Sequence, residues 1–456
     1  MTVFYLIFLV PHYPTGLAEI QPIRGWRYGP GLRSQIDRLV SPLFDVVSPR
    51  QREALYQNPL NSIHLSVPRG DDPAGQALAR LREWEHAGVL QQDELPGIYV
   101  YYQYFRLPGS PREYCRKGFM CHIRATDWAE NVVLRHESTL PAAVNDRAEL
   151  LARTEFQSSA THGLYRDEDF DLEPYLDEAM RSPLYETEED YQGARDVLAV
   201  IQDADVIRHF QRVLAAREVI LADGHHRYEG SLAYRQARRA AAGDAYTGHE
   251  AWNFHLMYLT NAAADDLRIL PTHRLLLDLP GIAGVADLLA RLEPYFTVLT
   301  LDDPYDLPER IAGKQWAFGL YLGEGEVYKI RLRPEVHAQL DWPTTTEIKN
   351  LDLTVLHYFV LEKVLGIAGS EAQRQWPSVA YVRNFPECLT RVNKGEARAA
   401  FITNEVSMAE VERVCHSGAV MPAKSTFFFP KTIGGFLFSS IAEAETTAPF
   451  TDVFRV

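Results

Sequence analysis

The chain has 456 residues, 46% of them hydrophobic and 23% charged, which excludes a disordered polypeptide and implies about two to four domains. Asp and Glu (61) outnumber Lys and Arg (46), giving a formal net charge of −15 that argues against a nucleic-acid partner while allowing a local basic pocket for a small anion. No run of 18 or more apolar residues is present, so no membrane span is expected, and Cys115, Cys121, Cys388 and Cys415 are too few and scattered for a disulfide framework or a C-x-x-C zinc site.

The apolar run at 3–10 lacks a preceding Lys or Arg and a following small-residue cleavage site. It reads as a buried strand or a foreign extension rather than a secretory leader. A reducing, cytoplasmic setting fits the cysteine usage. Residues 17–68 are rich in Pro and Gly, with a helix expected from Pro49 because Ser48 is a good N-cap and Pro suits the first helical position. An amphipathic helix is expected over 74–94, strands over 97–106 and 118–124, and a helix over 146–153. The acidic stretch 166–196 reads as loop plus a solvated helix. A buried strand at 217–222 (REVILA) runs into Asp223-Gly224, a helix follows at 226–241, and another strand at 252–260. Beyond Pro271-Thr272-His273-Arg274, residues 281–356 alternate short helices and strands and read as a separate lobe. The stretch 381–442 goes strand, helix, then MPAKSTFFFPKTIGGFLF. Without strict βαβ alternation, the expected class is α+β, a mixed-sheet protein of several lobes. The expected division is a core domain at 17–275 with an inserted region at about 75–200, a small α/β lobe at 276–350, and a segment at 351–456 packing back on the core.

Asp223-Gly224-His225-His226-Arg227 is the sharpest local feature. A strand stops at a tight turn and a helix opens, so backbone N–H groups and the positive dipole end mark an anion site. Gly224 allows close approach, Arg227 offers a fork matched to phosphate, and the two imidazoles add donors. Asp223 beside such a pocket makes sense as a magnesium ligand or a base toward a hydroxyl; the alternative is a plain helix cap. Adjacent His225 and His226 point roughly 100° apart on a helix and cannot easily share one metal ion.

GAVMPAKS at 418–425 is a near miss of the phosphate-binding P-loop, with Ala423 in place of the second Gly and a helix rather than a strand before it. Lys424 and Lys431 could still meet an anion as point charges, and Ser425 could bond to it. Weaker candidates are His136 and Glu137, His273 and Arg274, and the Arg24–Gly25–Arg27 turn.

Several stretches together resemble the family called domain of unknown function 1015: IRGWRYGP, FDVVSP, RHESTLP, DRAELLART, LADGHHRYEGSLAYR, ILPTHR, LDLTVLH and GAVMPAKSTFFFPKTIGG. The resemblance spans about residues 20–440, with Ala160-Thr161-His162 departing from a usually apolar piece. The Asp-Gly-His-x-Arg turn is also similar to the nucleotide-binding motif of the ParB and sulfiredoxin superfamily, which includes free-serine kinases using ADP or ATP. That likeness implies a nucleotide-binding core in which Gly224, His225, His226 and Arg227 hold phosphates. Asp223 would lie near the transferred group, with His225 beside it as the second catalytic candidate, and Arg24 and Arg27 across the pocket; Lys424, Ser425 and Lys431 are added to the anion site by the reading of their own stretch. It implies phosphoryl transfer to a hydroxylated metabolite such as serine, with Mg2+ and ATP or ADP; the alternative is a non-catalytic nucleotide or metabolite sensor. The remote segments are then expected to wall one cleft.

Overall fold

The computed structural model describes residues 18–43, 47–107, 109–189, 192–369 and 376–442. The expectation for the run at 3–10 lies outside the described residues. The chain divides into two units. The first holds the described parts of Met1–Arg135, Thr139–Leu267 and Pro430–Val456; the second holds His136–Ser138 and Arg268–Phe429. Residues 268–429 take in the expected lobe at 276–350 and most of the expected C-terminal segment. The fold is α+β.

The first unit is built on a mixed sheet. Its strands lie in the order Tyr185–Glu189, Ala194–Ile201, Ile98–Arg106, Glu113–Arg124, Phe254–Asn261, Thr161–Tyr165, Val219–Asp223 and Val133–Leu134, with Ile20–Gln21 also on Glu113–Arg124. Phe254–Asn261 runs parallel to Thr161–Tyr165, and Val219–Asp223 parallel to Val133–Leu134; the remaining neighbours are antiparallel. Because strand side chains alternate, Val100, Phe119, Met257 and Leu259 fall on one face. They pack with Ile207, Phe210 and Leu214 of the Ala204–Leu214 helix and with Tyr228 and Leu232 of the His225–Ala242 helix. The Ala204–Leu214 helix begins where the Asp203 carboxylate accepts from Asp205 N (2.9 Å) and Val206 N (3.0 Å). Its apolar residues recur at helical spacing, and each large one buried stabilises by about 1.5–3 kcal/mol. The opposite face carries Tyr99, Tyr101, Met120, Leu256 and Tyr258, covered by Tyr28, Trp84 and Phe436–Phe438.

The second unit holds an antiparallel sheet in the order Phe296–Thr300, Val327–Leu332, Ala317–Tyr321, Ala399–Ile402, His273–Leu276 and Val379–Val382. Leu275, Leu307, Tyr321, Cys388, Leu389 and Ile402 form its core. The Met408–His416 helix opens on a reciprocal cap between Ser407 and Glu410.

Several expectations shift. The helix expected over 74–94 is Pro73–His86; Gly88 at φ +67° turns the chain, and Leu90–Gln92 becomes a strand against Trp26–Tyr28. The helix expected from 146 starts at Pro141, and the strand expected from 118 starts at Glu113. The acidic stretch holds the Glu173–Ala179 helix but also the edge strand Tyr185–Glu189. Charge on an edge strand blocks pairing with another chain, so acidity there does not mean loop. All four cysteines are free. Among the described residues, no helix is long and apolar enough to cross a membrane.

Candidate functional site

The strand Val219–Asp223 is apolar up to Ala222, and Asp223 stands opposite His162 after a register shift. Gly224 follows at φ +91°, where a Cβ would come within 2.6 Å of Thr161 Cγ2 and 2.8 Å of Arg227 Nη2. The helix His225–Ala242 opens at once. Its N-cap is Gly224, which has no side chain to cap it, so Asp223 is not the N-cap residue.

Asp223 instead stands between two cations. Its Oδ2 accepts from Arg227 Nη2 at 2.9 Å, and its Oδ1 accepts from Lys431 Nζ. All three side chains are about nine-tenths buried, at 11%, 9% and 8% exposure. Burial opposes ionisation of Asp223, but Lys431 and Arg227 outweigh it and hold the carboxyl well below its ordinary value. Arg227 also donates through Nη1 to Ser159 Oγ (3.1 Å) and Ala160 O (2.5 Å), so its fork clamps the 159–160 turn onto the helix start. His226 Nε2 accepts from Leu140 N at 3.0 Å, which puts the proton of the neutral ring on Nδ1. His225 is buried.

From Lys431 the network runs across the sheet. Lys431 N donates to Gln192 Oε1 (2.7 Å), and Lys431 O accepts from Gln192 Nε2 (3.2 Å) and Gln103 Nε2 (3.1 Å). Gln103 also donates to Asp196 Oδ1 (2.9 Å), as does the Tyr101 hydroxyl. The buried Arg116 donates through Nη2 to Gln103 Oε1 and Pro430 O; among the described residues its Nε and Nη1 meet no acceptor. Strand register makes the row: Gln103 faces Arg116 on one side and Asp196 on the other, and His162 faces Asp223 and Tyr258. His162 is kept neutral by burial first, then by Arg116 and Lys431. The network thus sets Arg227 and Lys431 against the single carboxylate Asp223 at the helix start, while Arg116 and Asp196 meet through Gln103 further along the sheet.

Arg116, Gln103, Asp196, Gln192 and His162 escape the motif reading. The signal was there in strand periodicity, since 99, 101 and 103 share a face of an aromatic strand, and so do 116, 118 and 120. A polar residue on that face is a buried one. The departure at Ala160-Thr161-His162 is expected to leave the turn untouched, yet strand pairing puts His162 opposite Asp223.

Arg24 and Arg27 serve another cluster of the first unit. Arg27 grips both oxygens of Asp93 (Nε to Oδ2, 2.8 Å) and donates to the Tyr185 hydroxyl (3.0 Å), while Arg24 Nε donates to Asp93 O (3.1 Å). Tyr99 donates to Asp93 and accepts from Gly25 N (3.0 Å), which locks the turn. The other candidates belong to the second unit. There His136 O accepts from Met421 N (2.8 Å), and its Nε2 bonds to Thr426 Oγ1 (2.8 Å). Glu137 is half-buried and Lys424 exposed. The Ser425 hydroxyl donates to Pro422 O (2.6 Å). His273 Nδ1 accepts from Thr403 N (3.2 Å), and burial pushes its pKa down to about 4. Arg274 is buried against the 423–424 turn.

A protein-held magnesium ion does not fit Asp223, whose two oxygens already face a lysine and an arginine. Among the described residues no group of three or more His, Cys, Asp or Glu is placed to hold a metal ion.

Three buried histidines of the first unit make acid stability testable. His122 bonds Ser439 Oγ (2.6 Å), His162 bonds Thr260 Oγ1 (2.8 Å), and His255 bonds Thr161 Oγ1 (3.0 Å) and Ser231 Oγ (2.8 Å). Burial pushes His122 and His255 down to about 3 and His162 well below its ordinary value. Below a pH of about 6.5 the unfolded imidazoles bind protons and the folded ones do not. Stability therefore falls as pH drops from about 6.5, by about 1.4 kcal/mol per pH unit for each histidine. The urea midpoint of the full chain should be clearly lower at pH 5 than at pH 7; equal midpoints would contradict this.

Fold and site define an α+β protein with a buried charged network at a helix start whose N-cap is a glycine. The family model described as protein of unknown function (DUF1015) matches residues 20–354, and the chain belongs to that family. No curated protein matches the chain. Among solved structures it is similar to a free serine kinase in complex with AMP, at 13% identity and TM-score 0.33 over 65% of this chain and 83% of that one. It is also similar to a conserved hypothetical protein from Pyrococcus furiosus, at 13% identity and TM-score 0.32 over 65% and 87%. A third is SbnI with C-terminal truncation from Staphylococcus aureus, at 12% identity and TM-score 0.32 over 69% and 85%.

Proposed function

We propose that the first unit binds a phosphorylated small molecule, a nucleotide, at the Asp223–Arg227 turn and transfers its terminal phosphoryl group to a hydroxylated metabolite such as serine. One observation supports the binding reading: two buried cations, Arg227 and Lys431, share the single carboxylate Asp223 at the start of the 18-residue His225–Ala242 helix. An anionic group there meets the helix dipole and offsets the surplus charge. Gly224 lets phosphate approach the backbone, and His225 and His226 flank it. Asp223 orders Lys431 and Arg227; a carboxyl held ionised so firmly accepts a proton poorly, so His225 is the better candidate for the hydroxyl proton. Phosphoryl transfer needs positioning and charge neutralisation more than covalent help, and magnesium would arrive on the nucleotide's own phosphates. The saturation of Asp223 also favours a second reading, a sensor that binds nucleotide without turnover. The free cysteines suit a reducing compartment such as the cytoplasm.

The test is multiple-turnover release of ADP from ATP, and of AMP from ADP, with a panel of hydroxy amino acids. Acceptor-dependent release is expected. Binding without release favours the sensor, and no binding of either nucleotide at millimolar concentration removes both readings.

A further inference from the structure

In the second unit, Arg274 is 1% exposed yet has no carboxylate partner among the described residues. Its guanidinium donates to the carbonyls of Thr272, Ala423 (3.0 Å) and Lys424 (3.3 Å) and sits over the Tyr381 ring at 5.3 Å, while its Nε meets no acceptor. A buried cation held only by carbonyl dipoles and a ring face has no countercharge. The peptide group is planar and trans, so a carbonyl turned toward Arg274 turns the N–H of the same peptide away from it. The N–H groups of Lys424 and Ser425 therefore both point away from the guanidinium. Among the described residues, the N–H groups of Ala423, Lys424, Ser425 and Thr426 donate to no acceptor. Lys424 lies at φ +54°, in the left-handed region, directly after a turn residue. Successive N–H groups in such a turn form an anion-binding nest.

We propose that the 422–426 turn of the second unit is a phosphate-binding site for a small phosphorylated ligand. The N–H groups of Lys424 and Ser425 would cradle the phosphate oxygens, and the exposed Lys424 side chain would close over them. Thr426, whose hydroxyl already bonds His136 at 2.8 Å, borders the site. Arg274 acts from behind as a positioning residue: it aligns the two peptides and supplies the compensating positive charge. The near miss of the P-loop pattern in the sequence thus marks a nest reached by a different backbone route. This site stands apart from the reading of the Asp223 turn and does not depend on it.

The experiment is calorimetric titration of the full chain with inorganic pyrophosphate at physiological ionic strength, with Lys424→Glu, Lys424→Gly and Lys424→Arg beside the wild type. A binding phase about tenfold or more weaker in Lys424→Glu and Lys424→Gly, and kept in Lys424→Arg, is expected. Glycine accepts the left-handed backbone, so Lys424→Gly should melt no lower than wild type, which separates lost binding from lost folding. Pyrophosphate binding at the Asp223 turn would show as a phase that these substitutions leave unchanged. Absence of any phase sensitive to residue 424, or of wild-type binding at millimolar pyrophosphate, overturns the proposal.

Discussion

Asp223→Asn should cost about 3–5 kcal/mol of folding stability and abolish nucleotide binding, although the side chain keeps its shape. The amide cannot carry the charge that Lys431 and Arg227 share, so two cations about nine-tenths buried lose their anion. Coulomb attraction in such a site is strong because little water screens it, and removing one partner leaves the desolvation cost of the others in place. The pH dependence follows from the sign of the shift. The folded pKa of Asp223 lies below its unfolded value of 3.8, so its contribution is complete above that value and fades as pH falls below it. The gap between wild type and Asp223→Asn should therefore be constant from pH 5 to pH 8 and narrow below about pH 4. Adding Lys431→Met to Asp223→Asn should recover part of the loss, since it removes one of the stranded charges. Urea unfolding of the four proteins of this cycle provides the measurement, and purely additive losses would contradict the ion-pair account.

Gly224→Val should be comparably damaging, at about 2–5 kcal/mol, from two separable causes. At φ +91° a β-branched residue is strained, and its Cβ would lie 2.6 Å from Thr161 Cγ2 and 2.8 Å from Arg227 Nη2. Relief of the second contact would push Arg227 off Asp223, so nucleotide binding should fall further than stability alone explains. Gly224→Ala carries the same Cβ without the branch and should be milder. A Gly224→Val protein with wild-type melting and binding would show that the turn needs no glycine.

The strand, turn and helix around Asp223 were legible because each signal is local: the run REVILA, an Asp-Gly turn, and helical spacing from His225. The chemistry around the turn was not. Lys431 reaches Asp223 from 208 residues away, and the contact of Gln103 with both Arg116 and Asp196 depends on which strands become neighbours. Arg227 close to Gly224 suits a phosphate by sequence, whereas in the fold its fork holds Asp223, Ser159 and Ala160. Arg24 and Arg27 looked like an anion loop, but two arginines beside a glycine look alike whether they await a phosphate or grip Asp93, itself 66 residues beyond Arg27. The strand Tyr185–Glu189 was hidden by its charge, because acidic residues suit both a solvated loop and a protected sheet edge.

In the proposed function the Asp223–Arg227 turn receives phosphate. The decisive measurement is a crystal structure of the full chain grown with ADP. Phosphate oxygens should lie within hydrogen-bonding distance of the backbone N–H groups at the start of the His225–Ala242 helix, with Asp223 still between Lys431 and Arg227. ADP bound elsewhere in the first unit, with that helix start bare, would contradict it.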